Sequence, residues 1–308
     1  HRPDPRPAAR RRPGVGPVNT LVIARLTFRE ALRRKALYGA IALTIAFLAL
    51  YAWGAGYVVR ELETETPRGL ARIASQGGVD VRILAVGELL LAGLYAVSNI
   101  AGLLAIFMAA GTISQEVEGG TLQSILAKPV SRLQVVLGKW LGGALMLGAY
   151  VIVTGLVAAG IVYWRAGYLP AQLPLGLCFL VLEAMLLYSL TMVGSSLVPA
   201  ITTGIVMLIV YVVANVTGMI EQVGVAVGSE TMIRIGVVAS LLIPSNALWK
   251  MGAAVVQPPN PLPALGINMS LGPFGVVDPP SAWMGVYAVG YTLAALGLAA
   301  LIFSRRDL

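Results

Sequence analysis

Cysteine and histidine are nearly absent from this chain. Its 308 residues include one cysteine, Cys178, and one histidine, His1. A single cysteine excludes an intramolecular disulfide and any thiolate cluster for zinc or iron–sulfur. A single histidine leaves histidine-based catalysis and a conventional histidine metal site without support. Charge is also scarce. Charged residues make up 12%, where a soluble domain carries about 25%. That is too little to coat a water-facing surface of this size. A soluble enzyme, a nucleic-acid module and a disordered chain are therefore excluded as readings of the whole.

What remains is hydrocarbon. Hydrophobic residues make up 57% of the chain and the mean hydropathy is +0.82, the composition of an integral membrane protein. The net charge of +8 would suggest nucleic acid in a soluble protein. Here it clusters at the N-terminus and near the ends of apolar runs, where it sets orientation instead.

Residues 1–18, rich in Arg and Pro (Arg10, Arg11, Arg12, Pro13, Pro17), read as a basic disordered tail. Val18 offers an alternative translation start. From Asn19 to residue 36 the pattern is helical. Leu21, Ala24, Phe28, Ala31 and Leu32 form one stripe, and Arg25, Arg29 and Arg33 form another. An apolar stripe beside an arginine stripe suits a helix in the headgroup layer.

Six runs are long enough for about 20 apolar residues across about 30 Å of hydrocarbon. They lie near 37–59, 84–113, 135–163, 173–198, 201–220 and 282–303. None alternates as a barrel strand would, so the expected fold is all-α. The apolar core of 232–249 is too short to cross, being interrupted by Arg234 and Pro244, and is expected to be a re-entrant or interfacial segment. Six spans put both termini on one side. The inside then holds the basic tail, Lys128, Arg132, Lys139, Arg305 and Arg306, and the outside Arg60, Arg68, Arg72, Arg82, Arg165, Arg234 and Lys250. This agrees with the positive-inside rule, which a seventh span would weaken.

The connection between the second and third spans carries the most information. Leu122, Ile125, Leu126 and Pro129 fall at i, i+3, i+4 and i+7, one apolar face of a short helix. Gly119 and Gly120 allow a sharp turn at its start, Thr121 can cap it, and Pro129 stops it. Glu116 and Glu118 precede the N-terminal end, where negative charge suits the helix dipole. Such a helix either folds against the bundle or offers its face to a partner groove.

The run Glu116-x-Glu118-Gly-Gly120-Thr121-Leu122, followed by Lys128-Pro129-Val-Ser131-Arg132 and Gly138-Lys139, resembles the signature of the type-2 ABC exporter permeases (the ABC-2 family). It looks closest to the branch of multicopper-enzyme maturation permeases, related to the permease of the nitrous-oxide reductase accessory system. The basic interfacial start, the six-span layout and the ending Phe303-Ser304-Arg305-Arg306-Asp307-Leu308 agree with it.

The resemblance implies a six-span permease in a prokaryotic inner membrane, both termini cytoplasmic, paired as a homodimer and surrounded by lipid. Each subunit would bind a separate ABC ATPase that carries ATP and Mg, with no cofactor on this chain. By the same similarity Glu116, Glu118, Gly120, Thr121, Leu122, Ile125 and Leu126 belong to the ATPase-coupling helix. Pro129, Ser131 and Arg132 would shape the return to the third span. The chain has no G-x-x-x-x-G-K-[ST] loop, since Gly138-Lys139 lacks the upstream glycines, so ATP hydrolysis would belong to the partner.

Other residues carry weaker signals. Glu183, about ten residues into the fourth span, reads either as a substrate or proton site or as a packed acid bonded to a neighbouring helix. Glu88 lies near an outer end. Met185 and Met192 share a face and could line a pathway. Thioethers suit Cu(I), but no histidine or cysteine supports that use. Gly138 and Gly142 have the spacing of close helix packing. Trp53, Trp164, Trp249 and Trp283 read as an outer aromatic belt, with Trp140 near an inner end. Two other classes are compatible with the composition: an ion-gradient-driven secondary transporter using Glu183, and a membrane-embedded enzyme, for which no paired carboxylates or nucleophile–base pair speak.

Overall fold

The fold is described from a computed structural model, in which residues 20–33, 35–65, 81–114, 132–259 and 274–305 are described. The tail and the core of the predicted coupling segment lie outside these residues. That places Glu116, Glu118, Gly120, Thr121, Leu122, Ile125, Leu126, Pro129 and Ser131 outside them, while Arg132 is the first residue of the helix that follows.

Among the described residues every regular element is a helix. In chain order they are α1 (Thr20–Ala31), α2 (Lys35–Glu65), α3 (Val81–Ala110), α4 (Arg132–Ala166), α5 (Leu173–Leu197), α6 (Ala200–Val227), α7 (Glu230–Leu242), α8 (Ser245–Val256) and α9 (Ala282–Arg305). The six long helices α2, α3, α4, α5, α6 and α9 are long and apolar enough to cross a membrane. They match the six expected runs, and the protein is a multi-pass, all-helical membrane protein. α6 extends seven residues past its expected end at Ile220, which places Glu221 and Gln222 on a helix rather than in a loop. The turn between α5 and α6 is tight, as Pro199 predicts: Val198 is extended and α6 starts at Ala200.

Burial divides the bundle. In α3, 67% of the most apolar window is buried, and in α5 56%, against 17% in α2. α3, α4 and α5 therefore form the centre, while α2 packs at the edge through Tyr51, whose hydroxyl donates to Leu89 O at 2.8 Å.

α1 lies against the start of α4. A Cβ on Gly138 would sit 2.6 Å from Cβ of Ile23, and one on Gly142 only 2.5 Å from the carbonyl oxygen of Ala24. The glycine pair thus serves close packing, and its partner is the short amphipathic helix. The packing face of α1 differs from the expected stripe. Ile23, Ala24, Thr27 and Ala31 face inward, whereas Leu21, Leu26 and Leu32 are exposed along with Arg25, Arg29 and Arg33.

α7 and α8 resolve the ambiguous stretch. They bend by 106° at the break between them. Pro244 causes the break: Ile243 before it is extended, and the ring ends α7's ladder. The carbonyls of Leu241 and Leu242, left open at that break, accept the hydroxyls of Tyr287 (2.6 Å) and Tyr291 (2.9 Å) of α9. α6 turns into α7 at Gly228, whose φ of +71° suits glycine. α8 starts beside Gly218 of α6, midway into the bundle, and ends beside Gly176 at the start of α5 and Gly87 near the start of α3. The pair therefore enters and leaves at the same end of the bundle, as a re-entrant segment would. α7 presents a mostly exposed apolar surface and α8 is almost wholly buried.

Candidate functional site

Three polar centres lie along the bundle. The first frames the predicted coupling segment at the α1 end. After α3 the chain turns through Thr112, Ile113 and Ser114, and the N–H groups of Ile113 and Ser114 both donate to Ser195 Oγ of α5, at 3.1 and 3.2 Å. On the return side Lys139 Nζ of α4 donates to Thr112 O at 2.7 Å. Trp140 Nε1 donates to Ser189 Oγ of α5 at 2.7 Å, and Tyr188 OH to Lys139 O at 3.4 Å. Ile113, Val135 and Val136 are buried around these bonds.

The two bonds to Ser195 satisfy backbone N–H groups in a buried turn, and breaking such a bond costs about 1–3 kcal/mol. Both feet of the 115–131 connection are thus pinned to α5. Arg132, the last of the predicted coupling residues, starts α4, whose second turn carries this frame. The same contacts join the end of α3, the start of α4 and α5 to one another, and Gly138 and Gly142 add α1 to them.

The second centre is at mid-bundle. Glu183 is 3% exposed and its Oε2 accepts Ser98 Oγ of α3 at 2.6 Å. This is the interhelical bond of a packed acid. Met192 is fully buried, and Met185 is partly buried against Gly148 of α4. None of the cavities described below is lined by Glu183, Met185 or Met192. Among the described residues no group of three His, Cys, Asp or Glu side chains could hold a metal ion.

The third centre, at the opposite end, was not anticipated. Lys250 Nζ of α8 lies 2.9 Å from Glu221 Oε2 of α6, with side-chain exposures of 2% and 16%. Lys250, expected only to lie on the outer side, is a buried cation tying the α7–α8 hairpin to α6. Glu221 is held from behind by α7, where the absent side chain of Gly236 makes room for it. The pair borders a cavity of about 370 Å³ that also meets Gln222, Val276 and Asp278. Gln257 holds one of the lining residues: its Nε2 donates to Val276 O at 2.8 Å and its Oε1 accepts Val276 N at 2.9 Å. The sequence signal for Lys250 was available, since it interrupts the apolar run Ala247–Val256. Its partner was hidden because α6 was expected to stop one residue before Glu221.

Two smaller expectations are corrected. Trp249 is 3% exposed and packs edge-on to Tyr95 at 5.1 Å, so it belongs to the core rather than the outer belt. Trp53, Trp164 and Trp283 are exposed as a belt requires. Glu88 hydrogen-bonds the backbone of Phe274 and Gly275 and so helps hold the segment before α9.

A family profile described as ABC-2 family transporter protein matches residues 21–308. No curated protein sequence matches the chain.

Proposed function

The chain belongs to the ABC-2 family of transporter proteins, and from that premise we propose that it is the permease subunit of an ATP-driven exporter. In this reading ATP and Mg are bound by a separate ABC ATPase. Two copies of the chain pair in a prokaryotic inner membrane, each carrying one ATPase. The α1 end faces the cytoplasm, as the concentration of Arg and Lys there favours.

The observation that carries this reading is the frame around the 115–131 connection. A lever must be attached at both ends to parts that move. Here one foot is held by Ser195 and the other by Lys139, both in buried hydrogen bonds to or from the turn that closes α3. Closure of the ATPases would push the coupling residues Glu116, Glu118, Thr121 and Leu122. The pinned helices would then transmit that displacement as rocking of each bundle against its copy, an alternating-access cycle. Glu183 in this account is a packing residue, because its carboxylate is already engaged by Ser98.

The test is reconstitution of the chain with its ATPase in liposomes. Glu116→Lys combined with Glu118→Lys is expected to uncouple ATP hydrolysis from transport while both subunits still fold. Unchanged coupled activity would remove the coupling assignment. Transport that persists without ATP under an ion gradient would replace the reading with a secondary transporter.

A further inference from the structure

A groove unrelated to the three polar centres opens between α1, α2 and α4. We propose that it holds one acyl chain of an anionic membrane phospholipid, with the phosphate seated on the arginines of α1. Occupancy of the groove is independent of what drives transport.

The first argument is chemical. The groove has a volume of about 430 Å³ and is lined by apolar side chains except at Thr44, Tyr150 and Thr154. Those three hydroxyls are already engaged. Thr44 Oγ1 donates to Ala40 O at 2.7 Å, Tyr150 OH bonds Thr44, and Thr154 Oγ1 donates to Tyr150 O at 2.7 Å. With its polar hydrogens used internally, the groove offers nothing to a polar ligand and suits hydrocarbon.

The second argument is length. The α2 wall runs from Leu37 to Leu48 and the α4 wall from Met146 to Val157. Each covers eleven residue steps, about 16 Å at 1.5 Å per residue. Half of a hydrocarbon core about 30 Å thick is about 15 Å. The groove is therefore as long as one leaflet is deep.

The third argument is charge. Phe28 of α1 and Leu32 in the turn after it line the mouth of the groove. The same short helix and the start of α2 expose Arg25, Arg29, Arg33 and Lys35, against one acid, Glu30. A headgroup phosphate would meet net positive charge just where its chain enters. A second copy of this protein is the poorer occupant, because a two-fold interface here would set two such basic stripes against each other.

The experiment is native mass spectrometry of the full chain, delipidated in detergent and titrated with phosphatidylglycerol, phosphatidylcholine or inorganic phosphate. The parent is expected to retain one phosphatidylglycerol per chain in preference to phosphatidylcholine. Arg29→Gln with Arg33→Gln is expected to lower that preference about 30-fold, each basic residue near an anionic lipid being worth about fivefold. Ala149→Trp, which fills the groove from an exposed position, is expected to reduce occupancy by both lipids. Val153→Trp, at a position 60% exposed, repeats the test if the first variant misfolds.

Equal retention of the two lipids by the parent would overturn the headgroup assignment. Full displacement of phosphatidylglycerol by inorganic phosphate would show an anion site rather than a lipid site. Loss of the oligomer in Ala149→Trp with lipid occupancy intact would show that the groove is an interface between copies.

Discussion

The buried pair of Lys250 and Glu221 supports the most quantitative prediction. At 2.9 Å two unit charges attract by about 6 kcal/mol if the effective dielectric constant is about 20. Most of that attraction offsets the desolvation of two ions, so the pair as a whole contributes little net stability. The single substitutions are a different matter. Lys250→Met leaves the Glu221 carboxylate facing α7 and the apolar wall of α8 without its cation. Removing one member of a buried pair costs about 3–5 kcal/mol. Glu221→Gln leaves the ammonium with only Asp278 across the cavity, so its cost falls at the lower end of that range. The double variant Glu221→Gln/Lys250→Met removes both charges and is expected to lose far less than the sum of the singles, leaving a coupling of about 2 kcal/mol or more.

The assay is unfolding of the purified protein in detergent, by denaturant or heat, for all four members of the cycle. Protease sensitivity in the 257–281 region gives a local readout. If the hairpin is tied to α6 through this pair, each single variant loosens that region first and the double variant restores its protection. Singles within about 0.5 kcal/mol of the parent, or a strictly additive double variant, would refute the reasoning.

Three further outcomes follow from the same physics. Ser195→Ala removes the acceptor shared by the Ile113 and Ser114 N–H groups. It is expected to cost about 1–3 kcal/mol and to lower transport per ATP more than the ATPase rate; an unchanged coupling ratio counts against the frame as transmitter. Gly142→Leu forces side-chain atoms into the Ala24 carbonyl and is expected to release α1, seen as new labelling of a cysteine placed at Ile23, whereas Ala149→Leu is not. Glu183→Gln keeps an acceptor for Ser98, so transport is expected to stay within a few-fold of the parent; abolition with normal folding would reinstate Glu183 as a pathway residue.

Much of this fold was legible because membrane spans are written in length and composition. The six apolar runs near 37–59 through 282–303 reappear as helices with ends displaced by a few residues. Pro199 and Pro244 mark breaks because a proline in either place ends a hydrogen-bond ladder regardless of tertiary context. Gly138 and Gly142 announced a close approach but not its partner, since the spacing says how near a helix comes and not which helix comes.

What composition does not carry is pairing across the bundle. Lys250 reads from the sequence only as one more cation on the outer side, because hydropathy sees the cation and not the carboxylate of Glu221 on another helix. Nor does it show that Trp249 meets Tyr95 in the core instead of standing in the belt. Composition also does not show which serines bond across the bundle, although Ser195 and Ser98 make three interhelical hydrogen bonds between them. The coupling residues from Glu116 to Ser131 were read from a local pattern and lie outside the described residues, so their place rests on family membership and on the frame at either end.

The central claim is that an ABC ATPase engages the connection between α3 and α4. Cys178, the one native cysteine and an exposed one, can be replaced by serine. Single cysteines can then be introduced by Glu118→Cys, Thr121→Cys and Ile125→Cys, with Arg60→Cys at the opposite end as a control. In membrane vesicles active in transport, site-specific cross-linking is expected to join the first three to a nucleotide-hydrolysing subunit, with a yield that changes on adding ATP, and to leave the control unlinked. Active vesicles in which none of the three positions reaches such a subunit would contradict the account.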